Sequence, residues 1–160
     1  MRRIAVYEVD TENKAGIAAL TLLRVGLGVI LMVHGWQKLN DIPGTVASFT
    51  SLGIPGPEVS VYLAIMGELF GGLGLALGVL TGLAALGPAL TMVGAIYFVH
   101  REHGLLAQQG GFEYPLLILL TSLYFAAHGA GPLSVDSLVA RQRLRMKAYR
   151  REWRASHTRP

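Results

Sequence analysis

The chain has 160 residues, of which 52% are hydrophobic and 15% charged, with a net charge of +4 and no cysteine. This length suits a single domain, and so low a charged fraction, against about 25% in soluble domains, favours a membrane protein. Without cysteine, the chain by itself has no disulfide relay, no thiolate metal site and no cysteine-ligated iron–sulfur cluster.

Four apolar segments are predicted to cross the membrane as helices, because each approaches the roughly 20 residues that a crossing requires. They cover about residues 16–39, 61–80, 83–99 and 114–130. We therefore predict an all-α fold. An integral membrane four-helix bundle occupies residues 1–136, and a C-terminal amphipathic basic helix occupies the tail, residues 137–160.

The N-terminal residues are not expected to form a cleaved signal peptide. Glu8, Asp10 and Glu12 precede the first apolar segment, and acidic residues are unusual before the hydrophobic core of a signal peptide. The apolar stretch from Gly16 to Leu39 is also longer than the hydrophobic core of most signal peptides. We expect it to be retained as a helix.

Basic residues are concentrated in the tail and predict the orientation in the membrane. Eight of the fourteen Lys and Arg residues follow Val139: Arg141, Arg143, Arg145, Lys147, Arg150, Arg151, Arg154 and Arg159. Cytoplasmic flanks carry such an excess, and four crossings place both termini on one side, so both are predicted to be cytoplasmic.

The tail is also predicted to be amphipathic. Val139, Met146, Tyr149 and Trp153 fall on one helical stripe surrounded by basic residues, which indicates a helix on the inner membrane surface. A docking helix for a soluble partner and a partly disordered tail are the alternatives. Nucleic acid is not an expected partner, because no recognition motif accompanies the charge.

Glu68 is the first candidate for a functional residue. It is the only charge between Glu58 and His100, and a carboxylate at membrane depth is costly unless it is paired or hydrated. The first apolar segment supplies Arg24, His34 and Lys38 as possible partners. Helix rise places Arg24 at a similar depth, so we expect a buried Glu68–Arg24 pair, with either a functional or a purely structural role.

A second polar group is predicted toward the outer face. His34, Lys38 and Glu113 are candidate ligand-binding residues there. Lys38 could instead extend to the outer headgroups, and Glu113 could have only the role of stabilising the N-terminus of its helix. His100 and His103 have i, i+3 spacing but lack a carboxylate at suitable spacing, so no metal site is expected.

Small residues in the second segment predict close helix packing. Gly67, Gly71, Gly74 and Gly78 recur on one face, and Gly72 lies near Glu68. Such a face lets another backbone approach closely, and it could serve a homo-oligomer as well as the bundle.

Several motifs in this order resemble the DoxX family of small bacterial membrane proteins. They are the runs 22–28 and 33–39, Leu52-Gly53-Ile54-Pro55, the run 67–72, the run 113–117, and Gly131, Ser134 and Asp136 near the end. The resemblance implies a four-helix protein of the bacterial plasma membrane. The related DoxD subunit belongs to a thiosulfate:quinone oxidoreductase, and mycobacterial relatives are linked to a membrane complex with a superoxide dismutase and a sulfurtransferase in oxidative-stress defence.

The resemblance leads to one hypothesis, a membrane subunit of a redox or sulfur-metabolism system. Glu68 would take or relay a proton, and Arg24 would hold it ionised. His34 and Lys38 would donate hydrogen bonds to a carbonyl or a sulfur oxyanion, and Glu113 would complete the group. No covalently bound cofactor is expected, and a quinone is the candidate ligand. Partners would be the lipid bilayer and other membrane or soluble redox proteins.

Two further hypotheses remain open at this stage, and with them the question whether the chain is catalytic. One is a non-catalytic membrane scaffold that recruits soluble partners through the basic tail. The other is a small transporter or proton pathway, although no clear inverted repeat accompanies it.

Overall fold

The computed structural model describes residues 14–157, which form six helices and no strand. The helices are α1 (Lys14–Asn40), α2 (Ile42–Ser51), α3 (Pro57–Leu77), α4 (Thr81–His103), α5 (Glu113–His128) and α6 (Val135–His157). The predicted all-α fold is confirmed. The acidic residues on which the expectation of a retained N-terminus depends, Glu8, Asp10 and Glu12, lie outside the described residues.

Three of these helices, α1, α3 and α4, are long and apolar enough to cross a membrane. Large apolar side chains cover their outer surfaces, as at Leu22, Leu83 and Leu90, which are about 70% exposed. Such a surface is stable against hydrocarbon and not against water. The protein is therefore a membrane protein. With 16 residues, α5 is about 24 Å long, so the fourth crossing stays a prediction.

α3 lies at the centre of the bundle, with α1 on one side and α4 on the other. Glycine residues, which have no side chain, allow α1 and α4 to approach α3 closely. A Cβ added at Gly28 of α1 would lie 2.5 Å from the carbonyl oxygen of Gly72. A Cβ added at Gly67 would lie 2.9 Å from the carbonyl oxygen of Gly87 in α4. The prediction that these glycines bring other helices close to α3 is confirmed, and a role in a homo-oligomer stays a prediction.

The apolar core is shared by α1, α3, α4 and α5. Its buried members are Leu27, Leu31, Leu75, Ala85, Met92, Ile118 and Phe125. α5 completes this core by packing along α4, whose Pro88 faces Gly71 of α3. Proline has no N–H and therefore cannot bond the carbonyl of Ala84 one turn earlier.

The tail forms the predicted helix, α6. Ser134 caps it, because its hydroxyl accepts a hydrogen bond from the N–H of Ser137 at 3.1 Å. Every described side chain from Leu138 onward is exposed. The helix excludes a disordered tail over this range, and its position relative to the membrane stays a prediction. We call the end of the bundle where α3 ends and α4 and α6 begin the α6 end.

Candidate functional site

Lys38 and Glu68 form an ion pair inside the bundle. Nζ of Lys38 lies 2.5 Å from Oε2 of Glu68, and the side chains are 22% and 4% exposed. Lys38 is near the end of α1, whereas Glu68 is about 16 Å along α3 from Pro57, close to the middle of that helix. The pair thus holds a deeply placed carboxylate beside an ammonium that retains some access.

The backbone around Glu68 is irregular. Residues Met66–Phe70 form a turn of π-helix within α3. A π turn inserts one extra residue into a helix, and such turns occur frequently at functional sites. Here Gly67 and Glu68 are the buried residues of the turn: Gly67 contacts α4, and Glu68 faces Lys38 of α1. The π turn thus presents adjacent residues to different helices.

The expected pairing of Glu68 with Arg24 is not what the structure shows. Arg24 binds carbonyl groups near the end of α3, about 10 Å further along the helix axis than Glu68. The depth estimate failed because it treated the two helices as straight rods of equal length, whereas α1 and α3 are offset. Lys38 also does not extend to the outer headgroups, which was the alternative, because its ammonium turns inward to Glu68.

Arg24 ties together the backbone at the α6 end. Its side chain is buried, and Nη1 donates to the carbonyls of Leu75 and of Ala76, the latter at 3.1 Å. Nη2 donates to the carbonyl of Leu133 at 2.9 Å. The last carbonyls of a helix lack partners within it and carry partial negative charge, so a guanidinium stabilises them. Arg24 therefore joins α1, the end of α3 and the segment before α6.

Asp136 binds the free N–H groups at the start of α4, as Arg24 binds the free carbonyls at the end of α3. Its carboxylate accepts hydrogen bonds from the N–H of Leu80 at 2.8 Å, and from the N–H and hydroxyl of Thr81 at 2.9 and 2.8 Å. Burial raises the pKa of Asp136, but these hydrogen bonds and the positive charge of Arg24 outweigh it, so that the pKa lies below its ordinary value. The ionised carboxylate caps a helix other than its own.

The other two predicted ligand-binding residues are exposed. His34 lies on α1, one turn before Lys38. Glu113 lies at the start of α5, where Oε1 accepts a hydrogen bond from the N–H of Ala107 at 2.7 Å. Of the three predicted ligand-binding residues, Lys38 is the one that forms an ion pair with Glu68 in the described structure. Ligand binding by His34 and Glu113 stays a prediction.

The comparison with known proteins identifies the family. The DoxX family model matches residues 19–101, slightly more than half of the chain. The chain belongs to the DoxX family.

Curated relatives agree with this DoxX assignment. The chain is 36% identical over 127 residues to the protein of Bacillus subtilis (strain 168) named "Putative oxidoreductase CatD", which covers 79% of this chain and 91% of the relative. It is 32% identical over 82 residues to an uncharacterized protein of Haemophilus influenzae, which covers 51% of this chain and 54% of the relative. No solved structure matches the chain.

The DoxX match includes part of the site only. Arg24, Lys38, Glu68 and Thr81 lie within residues 19–101, whereas Asp136 lies beyond them. The similarity to the relative from Bacillus subtilis extends over more of the chain than the family model does, because that match covers 79% of this chain. The α6 end, where Asp136 meets Thr81, is therefore built partly from residues outside the region that the family model matches.

Sequence reasoning missed two features of the site. The hydrogen bonds from α4 to Asp136 were not predicted. The available signal was that the residue before α4 is Leu80, whose apolar side chain cannot cap a helix, so that the cap had to come from elsewhere. The π turn at Glu68 has no recognisable sequence signal.

Proposed function

We propose that this DoxX protein is the membrane subunit of a redox system and that its Lys38–Glu68 pair binds a small molecule whose reduction takes up protons. A quinone is the ligand that we favour. The observation that carries the proposal is the ion pair itself. An ionisable pair in the interior of an apolar bundle is a functional-site candidate, because charges there are costly to retain.

The donor set suits a quinone. A quinone supplies two-electron chemistry in which each carbonyl oxygen gains a proton. Lys38 has three N–H donors for a carbonyl oxygen, and its partial exposure gives a ligand access to them. When Lys38 turns to a ligand, the carboxylate of Glu68 is released from its ion pair and lies next to the ligand oxygen. Glu68 would there take up a proton and pass it to that oxygen.

Electrons would come from a redox centre on a partner protein or from a second small molecule. Arg24 acts in this proposal as a positioning residue, because it fixes one end of α3, the helix that carries Glu68. The name of the Bacillus subtilis relative, a putative oxidoreductase, supports a redox role. The membrane would be the bacterial plasma membrane. The basic α6 supports a cytoplasmic C-terminus, and four crossings would place both termini on that side.

Quinone content after purification from native bacterial membranes tests the binding step. Wild type, Lys38→Gln and Glu58→Gln are compared by mass spectrometry of extracted quinones per mole of protein. Glu58 is the matched control, since it is an exposed acid in the first turn of α3. We expect at least a tenfold loss in Lys38→Gln and no loss in Glu58→Gln. Equal quinone content in wild type and Lys38→Gln would reject quinone binding at this pair.

Glu68→Gln tests the proton step. In membranes that contain the redox partners, quinone-dependent turnover at equal protein level should fall at least tenfold, while quinone binding persists. Unchanged turnover at a normal protein level rules out the proton role.

The second candidate function is a non-catalytic scaffold. It is favoured by the use of Arg24 and Asp136 to join helix ends, which is a structural use of buried charge. Removing the residues after Leu138 separates the two functions. If the protein is a scaffold, the truncated chain loses its soluble partners while its quinone content is unchanged. If it is a redox subunit that does not recruit partners through α6, the truncated chain keeps its partners and its quinone.

A further inference from the structure

The apolar side chains of α6 are exposed along one face of the helix. At 100° per residue, five apolar side chains fall within about 100° of the helix circumference. They are Leu138, Val139, Met146, Tyr149 and Trp153, which are between 40% and 62% exposed. Gln142 interrupts this stripe, but five large exposed apolar side chains on one face of a helix are more stable against an apolar environment than against water.

Basic residues border this stripe on both sides. Arg145 follows one edge, and Arg143 and Arg150 follow the other. Glu152 is the only acidic residue from Leu138 to the end of the chain. An arginine at each edge can reach phosphate oxygens beside the helix while the stripe points away from water. This is the charge pattern of a helix that lies in the plane of a membrane surface.

The attachment of α6 places the stripe at the level of that surface. Arg24 holds the carbonyl of Leu133, and the N–H of Asp136 donates to the carbonyl of Gly78 at 2.9 Å. α6 thus begins at the level where the membrane-spanning helix α3 ends and the membrane-spanning helix α4 begins. From that point its 23 residues reach about 34 Å, enough to extend beyond the edge of the bundle over the surrounding lipid.

We propose that α6 lies in the headgroup region of an anionic leaflet, with the apolar stripe toward the acyl chains and the flanking arginines on lipid phosphates. A leaflet supplies both an apolar layer and negative charge at the level where α6 begins. A nucleic acid would supply charge only and leave the stripe in water. This inference is independent of quinone binding and concerns a different surface of the protein.

The test uses the full chain in nanodiscs and a Trp36→Phe background, which leaves Trp153 as the single tryptophan. Discs of phosphatidylcholine alone are compared with discs that contain about one third phosphatidylglycerol. In the anionic discs we expect the emission of Trp153 to shift to the blue and to be quenched by brominated acyl chains. We also expect trypsin to cleave α6 at least tenfold more slowly than in phosphatidylcholine discs.

Two variants separate the stripe from the helix as a whole. Met146→Gln changes the stripe, whereas Leu144→Gln changes an exposed apolar residue on the opposite face. We expect Met146→Gln to restore rapid cleavage in anionic discs and Leu144→Gln to leave protection unchanged. Replacing Arg143, Arg145 and Arg150 by Gln should weaken the affinity of α6 for anionic discs by about fivefold per arginine. The quenching of Trp153 measures this effect, because the substitutions also remove trypsin sites.

Three outcomes would overturn the proposal. The first is a water-like Trp153 emission in both kinds of disc. The second is equal protection in both, which would remove the role of anionic lipid. The third is exposure in lipid discs together with protection in native membranes, which would assign α6 to a protein partner instead.

Discussion

The carboxylate of Asp136 and the hydroxyl of Thr81, 55 residues apart in the sequence, lie 2.8 Å from each other. The same carboxylate oxygen accepts the N–H of Thr81, so α4 begins on a side chain that belongs to α6. Residues near the end of the chain therefore help to fix the membrane-spanning helices.

Replacing Asp136 should destabilise the whole bundle. Asp136→Ala removes a helix cap, for which about 1–2 kcal/mol is typical, and leaves the backbone N–H groups of Leu80 and Thr81 without their acceptor. The measurement is thermal unfolding in detergent, in which the variant should have the lower midpoint. Glu152→Gln is the control, because Glu152 is an exposed acid further along α6. A midpoint equal to that of wild type would show that the cap contributes nothing.

The contribution of Asp136 should also depend on pH. Its pKa is lowered in the folded protein, so the unfolded chain binds a proton more readily than the folded one. The stabilisation is therefore complete above the unfolded pKa of about 3.9 and is lost as pH falls through the lower folded value. The difference in unfolding free energy between wild type and Asp136→Asn should be constant from pH 7 to about pH 5 and smaller at pH 3. A difference that grows as pH falls would contradict this assignment.

Gly28 and Gly26 offer a matched pair on α1. A Cβ at Gly28 would lie 2.5 Å from the carbonyl oxygen of Gly72, whereas a Cβ at Gly26 would meet nothing within 4 Å. Gly28→Ala must separate α1 from α3 and should cost about 1–3 kcal/mol. Gly26→Ala should be neutral or stabilise by up to about 1 kcal/mol, because alanine favours the helix. Unfolding in detergent at increasing denaturant measures both, and equal stability of the two variants would argue against the close approach.

Much of the fold could be predicted from the sequence, because apolar length and glycine spacing are local properties. The three long helices and the packing role of Gly67 and Gly72 were predictable for this reason. The partner of Glu68 was not, since it depends on the offset between α1 and α3. A buried Arg in a membrane helix suggests an acidic partner, yet Arg24 binds helix-end carbonyls, which no sequence pattern displays.

The two members of the ion pair should differ in how much their loss destabilises the protein. Lys38→Gln leaves the carboxylate of Glu68, 4% exposed, without a counter-charge in an apolar bundle. Removing one partner of a buried pair costs about 3–5 kcal/mol. Glu68→Gln leaves Lys38, which is 22% exposed and has a long apolar stem, free to extend toward the headgroups, so its cost should be about 1 kcal/mol.

The double variant Lys38→Gln with Glu68→Gln tests the cause of this asymmetry. If the cost in Lys38→Gln comes from the unpaired carboxylate, removing that carboxylate as well should restore most of the lost stability. Unfolding free energies of wild type, both single variants and the double variant supply the comparison at one pH. A double variant less stable than Lys38→Gln would mean that packing, and not the buried charge, determines the loss, because both substitutions would then act through shape alone.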